Sequence, residues 1–190
     1  MRAAAELLCE GGFEAVRHRA VAHRAGLPLA STTYYFASLD DLIVAAVEHI
    51  GMVEAAKMHS RIEALSRRRR GPEATVDALV DLLVDVSPGH PGGDQLISRY
   101  ERYIACARQP ALRTVQRHIL QQRADAVGEV VERSGRSVRA ETLAALVCAV
   151  DGAVVSALVD QSGDPRETAR ATLIDVIDVF APYDQRAVRV

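Results

Sequence analysis

The chain has 190 residues, 49% of them hydrophobic but only 4% aromatic and none of them Trp, so Ala, Val, Leu and Ile must build its core. That composition favours close helix packing over a β-sandwich, and the length is enough to bury a real core. A formal net charge of -2 excludes DNA binding by bulk electrostatics, so any contact with nucleic acid has to be local. Cys9, Cys106 and Cys148 are an odd set, far apart and without metal or redox spacing, and read as reduced core thiols. No uninterrupted apolar run reaches the roughly 18 residues of a membrane span, and no signal-peptide pattern opens the chain, so a cytoplasmic protein without a membrane contact is expected.

Apolar residues recur at helical spacing almost throughout, which predicts an all-α fold. The first helix carries Ala4, Leu7 and Leu8 and stops at Gly11-Gly12, where Phe13 folds back as an anchor. A second helix runs from about Arg17 to Ala25; Gly26 suits its left-handed end and Pro28 the first turn of a third helix reaching Tyr35. Ser38 and Asp41 make a capping-box variant for a fourth helix, striped by Leu39, Leu42, Ile43, Ala46, Val47 and Ile50 and continuing to about Ser66. The basic run Arg67 to Arg70 ends at Gly71-Pro72, with cations at the negative end of a helix dipole.

A fifth helix from Pro72 carries Val76, Leu79, Val80, Leu83 and Val84 before the loop Ser87-Pro88-Gly89-His90-Pro91-Gly92-Gly93. A sixth spans about Asp94 to Arg108 and breaks near Pro110, and a seventh runs from about Ala111 to Glu132. The eighth, Ala140 to Val159, interleaves Ala and Gly with Leu and Val; Asp164-Pro165-Arg166-Glu167 caps a ninth that ends near Phe180.

A short helix, a glycine turn and another short helix also occur in proteins that never touch DNA. The wider string is more specific. Leu7-Leu8, Gly12-Phe13, Val21-Ala22, Ala25-Gly26, Tyr34-Tyr35-Phe36, Ser38 and Leu42 resemble, in order and spacing, the DNA-binding signature of the tetracycline-repressor (TetR) family. The resemblance implies an N-terminal three-helix helix-turn-helix domain at residues 1–47 and an effector-binding and dimerisation domain at 48–190. It implies a transcriptional repressor, a homodimer on a palindromic double-stranded operator, released by an unknown small-molecule effector, with no cofactor.

By that resemblance the third helix lies in the major groove, with Leu29, Ala30, Ser31, Thr33, Tyr34 and Tyr35 facing DNA and Thr32 and Phe36 facing inward. Ser31 and Thr33 suit base edges or phosphate, Ala30 a thymine methyl, and the tyrosine hydroxyls phosphate oxygens; a packed surface aromatic is the other reading of Tyr34. Arg17, His18 and Arg19 fall where the family approaches phosphate at the start of the second helix. Two departures stand out: Arg17 replaces the usual capping hydroxyl, and Leu39 replaces a common phosphate-binding Lys. The family's upstream basic arm has no counterpart before Met1-Arg2, which reads as a shortened or misassigned start. Residues 1–51 hold Arg2, Arg17, Arg19 and Arg24 against Glu6, Glu10, Glu14, Asp40, Asp41 and Glu48, four minus six, or -2. Weak, strongly salt-dependent non-specific binding follows.

The last two helices resemble the family's dimerising pair, with Leu146, Ala149, Val150, Ala153, Val154, Ala157, Leu158, Leu173, Val176 and Ile177 as the expected interface. Completion of a monomeric core is the competing reading. Tyr100, Tyr103, Cys106, Ala107, His118 and Gln122 are candidates to line an effector pocket among helices four to eight, or else are ordinary core and surface positions. Arg99, Glu101 and Arg102 read as a solvated face. No Glu-x-x-His pair, HExxH, GxSxG, P-loop or GxGxxG is present, so no catalytic residue is expected. The alternative function is a helical adaptor without DNA binding.

Overall fold

The computed structural model describes residues 1–85, 92–160 and 163–184. Among them the chain forms α1 (Arg2–Ala15), α2 (His18–Ala25), α3 (Leu29–Tyr35), α4 (Leu39–Ala64), α5 (Pro72–Leu83), α6 (Gly92–Arg108), α7 (Pro110–Arg133), α8 (Ala140–Val159) and α9 (Pro165–Phe180). The expected all-α architecture is found, with helix ends other than that of α1 within about two residues of those read from caps and breakers. Residues 87–91 of the expected loop lie outside the described residues, while Gly92 and Gly93 open α6 instead of preceding it.

The chain separates into two compact units, one of residues 1–55 and 94–120, the other of 56–93 and 121–190, the division falling within α4 and within α7. The sequence signature alone suggested a break at residue 47. Compactness groups α6 and the start of α7 with α1–α3.

In the first unit, Ala4 and Leu8 of α1, Val16, Val21 of α2, and Leu42, Ala46, Val47 and Ile50 of α4 form one core with Cys106 of α6 and Leu112 and Ile119 of α7. Phe13 packs against this cluster, as expected of an anchor. The regular helix breaks at Gly11-Gly12 as expected, both glycines being non-helical, and a short helical piece continues to Ala15: Gly12 has φ +64°, a conformation L side chains rarely adopt. Gly51 is required for a different reason. A Cβ there would lie 2.6 Å from Cγ1 of Ile119, so glycine lets α4 approach α7 closely.

In the second unit, α9 packs extensively on α8 and also on α5, burying Leu173 and Ile177 beside Leu146, Val150 and Val154 of α8 and Leu79 and Leu83 of α5. Arg166 and Arg170 of α9 pair with Asp81 and Asp77 of α5, the second at 2.7 Å. One expectation is corrected here. Cys9 and Cys148 are exposed and only Cys106 is a core thiol, because apolar neighbours on the same helices claim the inward positions. Arg70 of the basic run is buried: its guanidinium donates to the carbonyls of Ser66 at 2.7 Å and Arg133 at 3.0 Å, and burial, with help from nearby Arg68, lowers its pKa.

Among the described residues one helix, α8, is long and apolar enough to cross a membrane, although Asp151 interrupts its apolar run. Here the helix buries one side against α9, and Asp151 meets Arg123 of α7 at 3.1 Å.

Candidate nucleic-acid interface

Between α2 and α3 the turn is set by backbone geometry. Gly26 has φ +66°, and the amides of Gly26 and Leu27 return to the carbonyls of His23 (3.1 Å) and Ala22 (2.9 Å), closing the end of α2. Pro28 is the N-cap of α3, one position earlier than the sequence suggested, and its carbonyl accepts from Ser31 N at 3.0 Å.

One residue turns α3 inward. Thr32 is buried, with its hydroxyl donating to Leu29 O at 2.9 Å and reaching His18 O of α2 at 3.5 Å. Around the rest of the helix, Leu29, Ala30, Thr33, Tyr34 and Tyr35 are exposed and Ser31 is half-buried. Tyr34 and Tyr35 are 83% and 75% exposed, an uncommon state for large aromatics, with rings edge to face at 5.2 Å. Phe36 is half-buried against the core, so both inward expectations match the placement.

The cations are more committed. Arg17 is the N-cap of α2 and supplies no capping bond; its guanidinium turns back to the carbonyls of Phe13 (3.2 Å) and Val16 (2.9 Å) and to Glu14. Arg24 is held by Glu10, and Arg2 lies 3.6 Å from Glu6. Arg19 is exposed, while His18 is half-buried with Nδ1 lacking a protein partner. The surface around α3 is therefore one of hydroxyls and amides with few uncommitted charges.

Residues 1–46 match the family model "Bacterial regulatory proteins, tetR family", and residues 70–179 match "Tetracyclin repressor-like, C-terminal domain". The chain belongs to the TetR family of transcriptional regulators. Among solved structures, a TetR-family member from Streptomyces coelicolor A3 shares 33% identity over 92% of this chain and 94% of its own, with a TM-score of 0.65. The multidrug binding protein EbrR, complexed with imidazole, shares 31% over 97% and 94%, with a TM-score of 0.67. A transcriptional regulator from Saccharomonospora viridis in complex with choline has the same fold, with 17% identity, 95% and 94% coverage and a TM-score of 0.71. No curated protein matches the sequence.

In this TetR-family chain the pocket candidates are only partly brought together. Tyr100 and Tyr103 are half-buried on α6 with rings 5.7 Å apart, and Cys106 is buried one turn beyond Arg102. Ala107 and His118 are exposed, and Gln122 is half-buried. Arg102 corrects the expected solvated face. It is 5% exposed, and its Nη2 donates to Glu54 Oε1 of α4 at 2.7 Å. Sequence reasoning missed Glu54 and also Gln116, which is buried on α7; polarity near an apolar stripe was the one signal for either.

The expected dimer residues divide in the same way. Leu146, Val150, Ala153, Val154, Ala157, Leu173 and Ile177 are buried within the single chain and leave little surface for a partner. Ala149, Leu158 and Val176 are half-buried. The opposite side of α8 carries Ala144, Cys148, Gly152, Val155 and Val159, all exposed, the last at 79%. Their spacing of three and four puts them on one stripe.

Proposed function

We propose that this regulator is a repressor that binds a palindromic operator as a homodimer and is released when a small molecule occupies its body. The observation that carries the reading is α3: a short helix anchored by Thr32, with Tyr34 and Tyr35 facing solvent. In this reading Ser31 and Thr33 meet base edges or phosphate, Ala30 and Leu29 make apolar contacts, and the tyrosine hydroxyls donate to phosphate. Backbone amides and His18 and Arg19 at the start of α2 complete the phosphate contacts, and Arg17 joins them only by leaving the carbonyls it now holds.

Two copies join through the exposed stripe of α8 with Val179 of α9, which stays exposed in the single chain. Small residues there suit close helix approach: a Cβ on Gly152 would meet nothing within 4 Å, so the space is open to a partner. Symmetry then presents α3 twice, about one DNA turn apart.

Small-molecule control is supported by the relatives, since EbrR is described as multidrug binding and has been seen with proflavin, ethidium and malachite green. The effector acts by favouring a dimer geometry whose reading helices no longer fit successive grooves. Its place of action is the cytoplasm. Selection of bound fragments from genomic DNA tests the reading: enrichment of a palindromic sequence supports it, and enrichment of none favours the helical adaptor.

A further inference from the structure

Besides Nδ1 of His18, three side-chain atoms among the described residues of the first unit are buried without a hydrogen-bond partner in the protein: Nη1 of Arg102 and both Oε1 and Nε2 of Gln116. Their residues are 5% and 6% exposed. Buried amides and guanidinium edges are ordinarily paired, since an unpaired one loses its hydration and gains nothing.

Helix register places the two residues toward one layer. On α6, Arg102 and Cys106 are one turn apart, and the pKa of the Cys106 thiol, raised by burial, is opposed by the charge of Arg102. On α7, Gln116 falls between Leu112 and Ile119 on the buried side, and those two share the core cluster with Cys106. Helix α4 closes the layer, through Gly51 against Ile119 and Glu54 against Arg102.

We infer that Arg102 and Gln116 are the polar end of the effector site, and that the effector is a neutral molecule presenting an amide-type group. The inference rests on the effector-controlled reading above and deepens it. The open atoms are two kinds of donor and one acceptor; an amide or lactam offers a carbonyl oxygen to the donors and an N–H to Gln116 Oε1. Charge selects against the ions. Arg102 is already balanced by Glu54 at 2.7 Å, so a carboxylate or a cation would each bring one uncompensated charge into a buried place. This chain therefore differs in effector charge from the relatives seen with choline, ethidium and malachite green, which are cations.

The test uses the full chain and three probes of one shape: benzamide, benzoate and benzamidinium, with binding followed by ligand-observed NMR titration. Benzamide is expected to bind at least about tenfold more tightly than either ion, one well-made hydrogen bond's worth of discrimination. Gln116→Leu keeps the volume and removes the open amide. It is expected to weaken benzamide by about tenfold and to raise the melting temperature, leaving operator affinity without ligand unchanged. Equal binding of an ion, no binding of benzamide, or undiminished binding by Gln116→Leu would overturn the site. Operator binding, measured separately, distinguishes the two claims. A chain that takes benzamide yet binds no duplex supports the site and sinks the regulator; one that binds duplex but not benzamide sinks the site alone.

Discussion

Arg24 on α2 grips Glu10 on α1 with both guanidinium nitrogens, at 2.9 Å and 2.7 Å to the two carboxylate oxygens. This fork joins two helices of the reading domain with parallel, charge-assisted bonds. Its cost to DNA binding is that a cation near α3 is spent inside the protein.

The hydrogen bonds from Arg24 hold the Glu10 carboxyl below its ordinary range, and the same partners raise Arg24. A carboxylate with a lowered folded pKa contributes stability that is complete above its unfolded value, about 4.5, and lost as pH falls through the folded value. Hydrogen-exchange protection factors of the α1 and α2 amides, taken relative to intrinsic exchange at each pH, should therefore be flat near neutrality and fall in acid. Glu10→Gln should show at neutral pH the lower protection of the acidified protein.

Tyr34→Phe should weaken operator binding by about 1 kcal/mol, roughly fivefold, if its hydroxyl donates to phosphate. Fluorescence anisotropy at fixed salt measures it. Thr32→Val should act differently, lowering stability by about 1 kcal/mol through the lost bond to Leu29 O at 2.9 Å.

Gly51→Ala should destabilise the chain by about 1–3 kcal/mol in urea unfolding, because the added methyl overlaps Ile119. Replacing Ile119 by Val in the same chain should recover part of the loss.

Tyr183 lies between two guanidinium groups, Arg69 and Arg136, each 4.1 Å from its ring centre, and its hydroxyl donates to Arg70 O at 3.1 Å. The Arg136 side chain is wholly buried, bonded through Nη1 to Asp178 and to Ala181 O, both at 2.8 Å. Tyr183→Leu should cost about 2–4 kcal/mol of stability, since it leaves that buried charge facing an apolar group. Chemical denaturation reads the change.

The sequence revealed the helices and their ends because Gly12, Gly26, Pro72 and Asp164 act locally, through φ, ring geometry and capping. It placed Thr32 inward and Tyr34 outward only through the family resemblance, and two positions that close on one helix necessarily point in different directions. It could not choose the free side of α8. A helix apolar all round has no periodicity to separate a face packed on α9 from one open to a partner, and the bulky Leu146 and Val150 drew attention to the packed side. Nor could it pair Arg102 with Glu54, which lie 48 residues apart and meet only through the packing of α4 and α6. Arg24 and Glu10 were counted as charges, and their fork was invisible for the same reason.

Val159→Asp should convert a dimer to single subunits in size-exclusion chromatography, because it places a charge on the exposed apolar stripe, while leaving the helical circular dichroism intact. Leu146→Asp should instead unfold the chain, since that side chain is buried within it.

The most direct measurement is sedimentation of the protein with its selected duplex. Two subunits per duplex are predicted, with the complex lost when Tyr34 and Tyr35 are both replaced by Ala. A complex of one subunit, or one indifferent to the loss of both tyrosines, would contradict a pair of exposed reading helices.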